Sequence, residues 1–257
     1  LLDQLAHVLS LRGFLITKMD DHIYFSRGNH EDELSELEEM FKKVNIAVRV
    51  DGRKIYLLDG DITKKDLDQL IWYSVQQEAG GGNAWRSWGY FITRNHGPKV
   101  NTFILETGVA LFVKALSAAG IVTIMSCDGH GKGRPCITFC GKQNAIWFCT
   151  LFNEIKDNLK LNYEWYFHDV DGLDIHFVAK RRQNEWNLEK VLEDTMQMAE
   201  YFLNESENLS KLKKDIFGRK YKSTRRLVHQ MDYAQMNKWM RTKYKNYIRS
   251  QVEVKIH

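Results

Sequence analysis

Proline occurs twice in 257 residues and cysteine four times. No apolar run approaches the roughly 18–20 residues that span a bilayer, which excludes a membrane-spanning helix as the plan of the chain. Cys127, Cys136, Cys140 and Cys149 form no paired framework, which fits a reducing cytoplasm better than a disulfide scaffold. The signatures of common catalytic classes are missing as well. There is no nucleophile elbow, no His-Glu-x-x-His helix, no phosphate-loop lysine and no dinucleotide fingerprint. The chain opens on Leu1 inside a helical pattern, so a preceding piece is expected; no signal peptide is legible in what is present.

The remaining composition is that of an ordinary globular protein, with 44% hydrophobic and 27% charged residues. A net charge of +4 conceals a strong asymmetry. Residues 210–257 hold 14 Lys+Arg against 3 Asp+Glu, leaving 23 basic and 30 acidic residues in 1–209. An acidic body joined to a basic C-terminal extension points to a polyanion, an acidic protein surface, or the acidic body of a second copy.

The chain carries the same pattern twice. Residues 5–77 and 112–198 each open with an apolar helix ending in Leu-Ser-x-x-Gly, at Leu9 to Gly13 and Leu116 to Gly120. Strand, turn, strand, helix, strand, an Asp-Gly turn, strand and helix follow in both. Hairpins are expected at Asp20-Asp21, at Asp51-Gly52 and at Asp171-Gly172. Asn29 is expected to cap the second helix of the first repeat, and Asp61 or Thr63 the third. Alternation in LDIHFVAK places Leu173, Ile175, Phe177 and Ala179 on one strand face.

The fold class read from this pattern is α+β. Two tandem helix-strand-strand-helix-strand-strand-helix repeats build antiparallel sheets and are followed by a basic helical extension. Residues 1–79 form the first repeat and 80–101 a Gly/Trp-rich connector or arm. Residues 102–205 form the second repeat and 206–257 the extension. The connector offers Trp85, Arg86 and Trp88 as contacts. It lacks the strand and helix flanks of a phosphate loop.

This element order, twice in one chain, resembles the single-chain LAGLIDADG homing endonucleases. The matching stretches are LAHVLSLRG (Leu5 to Gly13) and FVKALSAAG (Phe112 to Gly120). The resemblance implies that these two helices pack together and that an acidic residue before each glycine holds a divalent metal at a DNA cleavage site. Those positions are Arg12 and Ala119 here, so metal-dependent cleavage at that site is not expected.

All four cysteines fall in a short span, with His130 between the first two. Strand ends would bring Cys127 opposite Cys136 across the SCDGHG turn. Four readings stay open there: zinc on Cys127, His130 and Cys136; a cross-strand disulfide if the protein meets an oxidising environment; a reactive thiol in an enzyme centred on Cys127, Asp128 and His130; and plain packing. Asp59 and Asp61 read better as helix caps than as a magnesium site. Glu106, His168, Asp174 and His176 would form an acid–base group if they converged.

The leading expectation is non-catalytic nucleic-acid binding, with no cofactor, mainly through the extension. Lys213, Lys214, Arg219, Lys220, Lys222, Arg225, Arg226, Lys238, Arg241, Lys243, Lys245 and Arg249 would meet phosphate, and Trp239, Tyr244 or Tyr247 would stack on unpaired bases. The alternative from another class is a phage-type interaction protein or inhibitor. It would oligomerise with its own kind or clamp an acidic partner, with the charge asymmetry as an assembly device.

Overall fold

The computed structural model describes residues 1–58, 62–73, 100–170, 174–181, 185–217, 226–227 and 230–254. The connector residues Trp85, Arg86 and Trp88 lie outside the described residues, as do Asp59, Asp61, the Asp171-Gly172 turn and the cations Arg219, Lys220, Lys222 and Arg225.

The first half runs α1 (Leu2–Arg12), β1 (Ile16–Lys18), β2 (Ile23–Phe25), α2 (Glu33–Lys43), β3 (Val48–Asp51), β4 (Lys54–Leu57) and α3 (Lys64–Ile71). The second repeats this order with α4 (Thr107–Ala118), β5 (Thr123–Cys127), β6 (Cys136–Phe139), α5 (Gly141–Ile155), β7 (Glu164–Val170), β8 (Asp174–Lys180) and α6 (Leu188–Asn204). Helices α7 (Ser206–Phe217) and α8 (Tyr233–Val254) follow. Each half holds a four-stranded antiparallel sheet with the same strand order, β1-β2-β4-β3 and β5-β6-β8-β7. The α+β class and the internal repeat read from the sequence are therefore those of the structure.

The recurring Leu-Ser-x-x-Gly has a local cause. Gly13 and Gly120 both adopt left-handed backbone, with φ of 110° and 76°. The amide after each glycine reaches back to the leucine carbonyl, Phe14 to Leu9 and Ile121 to Leu116. This is the glycine-terminated helix end in which a side-chain-free residue turns the chain out of the helix. Elsewhere, Thr63 and Asp66 form a reciprocal capping box on α3. The Asp51-Gly52 hairpin forms with Asp51 paired to Lys54. Asn29 does not cap α2, whose N-cap is Asp32. It bonds the Leu15 backbone on both sides and accepts from Lys114 instead.

Each half has its own core. Leu5, Leu9, Phe25, Leu37, Phe41 and Ile55 are buried in the first, and Phe112, Trp147, Phe148, Phe177 and Phe202 in the second. Phe177 and Ala179 point inward as the alternation requires. Ile175 and Leu173 carry no described side chain.

The residues just after 101 pack with the first half. Phe103 belongs to the first core, where its ring meets Phe14 and Tyr73. The Thr102 amide donates to Glu33, and its hydroxyl donates to the Gly13 carbonyl. The described helices of the extension pack on the second half. Leu209, Leu212, Met236 and Met240 are buried in the second core, so α7 and α8 complete it.

The seam between the halves is polar at its centre. Lys114 of α4 is buried and its Nζ sits 2.9 Å from both Glu33 oxygens, 2.6 Å from Asn29 Oδ1 and 2.7 Å from Thr102 Oγ1. Arg12 is buried as well, donating to the carbonyls of Tyr73 and Thr102. Burial lowers its pKa to about 10, opposed by Glu33 and Asp128, so it stays charged at neutral pH. Helix α1 meets α4 end to start: a Cβ on Gly13 would lie 2.7 Å from Ala110 Cβ. The two motif glycines do not face each other. Gly120 lies beside Ser210 and Lys213 of α7, and the Lys213 ammonium donates to the Gly120 carbonyl.

Candidate functional site

Two places gather the chemistry: the turn between β5 and β6, and the outer face of α8.

The turn begins at Cys127, the register partner of Cys136, as its strand-end position implies. Gly129, His130 and Gly131 then take left-handed backbone in succession, with φ of 79°, 52° and 67°. The His130 amide donates to Asp128 Oδ1, and the Gly129 amide points at the Cys127 sulfur. The turn is pressed against the start of α4. The Gly108 amide donates to Asp128 Oδ2, so Asp128 caps a helix that its own segment does not belong to. A Cβ on Gly108 would come within 2.7 Å of Asp128 Cβ, so the approach needs glycine. In return, Glu106 Oε2 accepts the Asp128 amide at 2.6 Å.

Glu106, Cys127, Asp128 and His130 thereby each bring a potential ligand atom to within 4.8 Å of the others. His130 Nε2 is 3.2 Å from Glu106 Oε1 and 3.6 Å from Cys127 Sγ. Asp128 is buried and Glu106 partly so, while the His130 side chain is 66% exposed. Burial pushes the Cys127 thiol up to about 12, with the Glu106 charge adding to the shift. Burial also raises Glu106, with the charge of Asp128 contributing. An activated nucleophile needs the opposite shift, so the turn as it stands holds a protonated thiol.

Three of the four are those the sequence singled out; the fourth differs. Cys136 sits across the strand pair from Cys127, but Glu106 supplies the third side chain around His130. His168 and His176 are not among the side chains gathered around Glu106, and the side chain of Asp174 lies outside the described residues. His168 and His176 are register partners on β7 and β8, where His176 Nδ1 pairs with Thr138 Oγ1 at 2.7 Å. All four cysteines are free thiols. Cys140 precedes α5, and Cys149 is buried within it.

On the extension, α8 is amphipathic in a specific sense. Met236 and Met240 are buried, and Tyr233, Trp239, Tyr244 and Tyr247 pack against the second core. Lys238, Arg241, Lys243, Lys245 and Arg249 are exposed. At about 100° per residue, Lys238, Arg241, Lys245 and Arg249 share one stripe opposite the buried methionines. Lys243 lies off it, with its ammonium 5.7 Å from the Trp239 ring centroid. Tyr244 meets Trp147 edge to face at 6.1 Å. The aromatics expected to stack on bases are therefore engaged with the protein's own core.

Lys213 is likewise spoken for. Besides the Gly120 carbonyl it donates to Asn144 Oδ1 at 3.0 Å, and burial lowers its pKa to about 8. Lys214 and Arg226 are exposed. No helix among the described residues is long and apolar enough to cross a membrane.

Neither a protein-family model nor a curated protein nor a solved structure matches the chain.

Proposed function

We propose that the protein binds nucleic acid through the outer stripe of α8. The observation that carries this reading is the alignment of Lys238, Arg241, Lys245 and Arg249 on the exposed side of a helix whose other side is held in the core. The four span roughly 16 Å at 1.5 Å of rise per residue. Such a stripe tracks a run of phosphates without reading bases, and its affinity comes from release of counterions. Because Met236 and Met240 are buried, the helix is packed in place before binding, and the ordering that remains is that of the exposed side chains. Lys214 and Arg226 are further exposed cations of the same extension.

Contact is with backbone phosphate rather than with stacked bases, since Trp239, Tyr244 and Tyr247 pack inward. The proposal adds no catalytic step. Arg12 and Ala119 stand where the resembled endonucleases place their metal-binding acids, and both are buried.

Fluorescence anisotropy with labelled single-stranded and duplex oligonucleotides at low salt tests this. The variant carrying Lys238→Glu, Arg241→Glu, Lys245→Glu and Arg249→Glu is expected to lose binding to both. Affinity equal to that of the unaltered chain would sink the proposal.

A further inference from the structure

Beyond nucleic-acid binding, we propose that Glu106, Cys127 and His130 form a tetrahedral binding site for one zinc ion, with water as the fourth ligand. The donor set is mixed in the manner zinc accepts: one sulfur, one imidazole nitrogen and one carboxylate oxygen.

The spacing of the donor atoms carries the inference. A tetrahedral ion with a Zn–S bond of about 2.3 Å and Zn–N and Zn–O bonds of about 2.0–2.1 Å sets its ligand atoms at fixed separations. Those separations are about 3.6 Å between sulfur and nitrogen and about 3.3 Å between nitrogen and oxygen. Cys127 Sγ and His130 Nε2 are 3.6 Å apart, and His130 Nε2 and Glu106 Oε1 are 3.2 Å apart. Side chains from two segments about twenty residues apart thus match two edges of a coordination tetrahedron, and one ligand atom from each of the three residues lies within 4.8 Å of the others.

The supporting shell is built as such sites require. Asp128 is the positioning residue. Its two oxygens accept the amides of Gly108 and His130, which tie the turn to the first residues of α4 and fix where His130 emerges. Glu106 is oriented by accepting the Asp128 amide through Oε2, which leaves Oε1 turned to His130. The exposed edge of His130 leaves the remaining corner to solvent. Binding would displace the thiol proton of Cys127 and set it free in solution. No oxidation or reduction is involved.

The test uses the full chain, stripped with a chelator, kept reduced, and titrated with Co(II) as the spectroscopic stand-in. One equivalent is expected to produce a thiolate-to-cobalt charge-transfer band together with visible bands of tetrahedral intensity, both lost when Zn(II) is added. Cys127→Ser should abolish the charge-transfer band. His130→Ala and Glu106→Gln should weaken binding by at least about tenfold. Cys136→Ser should leave the spectrum unchanged. No band with the unaltered chain, a band that survives Cys127→Ser, or one that disappears with Cys136→Ser would overturn the assignment. Alkylation of the unaltered chain, read residue by residue from peptide masses, gives a measure independent of variant folding. Zn(II) should protect Cys127 and leave Cys136 as reactive as before; equal labelling of Cys127 with and without the ion overturns it.

Discussion

Lys114 Nζ lies 2.9 Å from both carboxylate oxygens of Glu33, and this buried pair joins the two halves of the chain. Burial pulls the ammonium below its ordinary value while Glu33 opposes the shift. Two charges out of water hold each other in place only as a pair, and removing one leaves the other uncompensated. Glu33→Leu or Lys114→Met alone is expected to cost about 3–5 kcal/mol. The double variant should cost clearly less than the sum of the two. Urea unfolding of all four proteins checks this, and full additivity would show that the pair does not act as a unit.

Gly13 and Gly120 allow a controlled comparison. Both are left-handed, so alanine at either should cost about 1–2 kcal/mol from backbone conformation. Only Gly13 is also pressed against α4, with Ala110 Cβ 2.7 Å from where its Cβ would be, whereas nothing comes nearer than 3.8 Å at Gly120. Gly13→Ala should therefore be the more damaging by about 1–3 kcal/mol, measured by thermal or urea unfolding. Equal losses would mean that the seam yields without cost.

Lys213 predicts a pH dependence. Its folded-state pKa is lowered from 10.5 to about 8 by burial, with Cys140 opposing. Below about 8 the ammonium is charged in both states and the folded protein bears the full burial cost. Between the two values the unfolded chain holds more protons, so stability rises with pH. Above 10.5 both states are neutral and the cost is gone. The melting temperature of the unaltered chain should gain on that of Lys213→Met across this window. A constant difference would refute the shift.

Salt dependence separates the cations that meet phosphate from those that do not. Removing one cation that pairs with a phosphate should reduce the slope of log affinity against log salt by up to about 0.9. Lys238→Gln and Arg249→Gln should each do so. Lys213→Gln should not, because its ammonium is committed to Gly120 and Asn144. An unaltered slope in the first two would remove the stripe from the binding surface.

What the sequence made legible was local. The repeat, the Asp51-Gly52 hairpin, the Thr63 cap and the inward face of β8 follow from turn chemistry and from periods of two and 3.6 residues, which need no knowledge of distant neighbours. What stayed hidden depends on partners far along the chain. Asn29 has the identity of a helix cap, yet its oxygen serves Lys114, 85 residues away. Lys213 counts as one more cation in a basic run, and only the approach of α7 to Gly120 shows that its charge is used internally. The aromatics of α8 read equally well as base-stacking or as core, and the choice rests on whether an apolar surface waits beneath them. Trp147 of α5, which meets Tyr244 edge to face, is part of that surface. Glu106 joined the cysteine turn unannounced because no spacing rule links a residue before one helix to a hairpin two elements later. The faint signal was the glycine at 108, which admits Asp128 to the helix start.

The carbonyl at the end of α1 accepts from Thr102, and the equivalent carbonyl at the end of α4 accepts from Lys213. The segment that follows the connector serves the first helix end, and α7 serves the second. A carbonyl left open where a left-handed glycine turns the chain out of a helix is thus answered in both halves, each time by a side chain from a later segment. For α4 that segment is α7, which together with α8 also buries Leu209, Leu212, Met236 and Met240. Removing α7 and α8 would uncover the end of α4 and the apolar surface beneath them together.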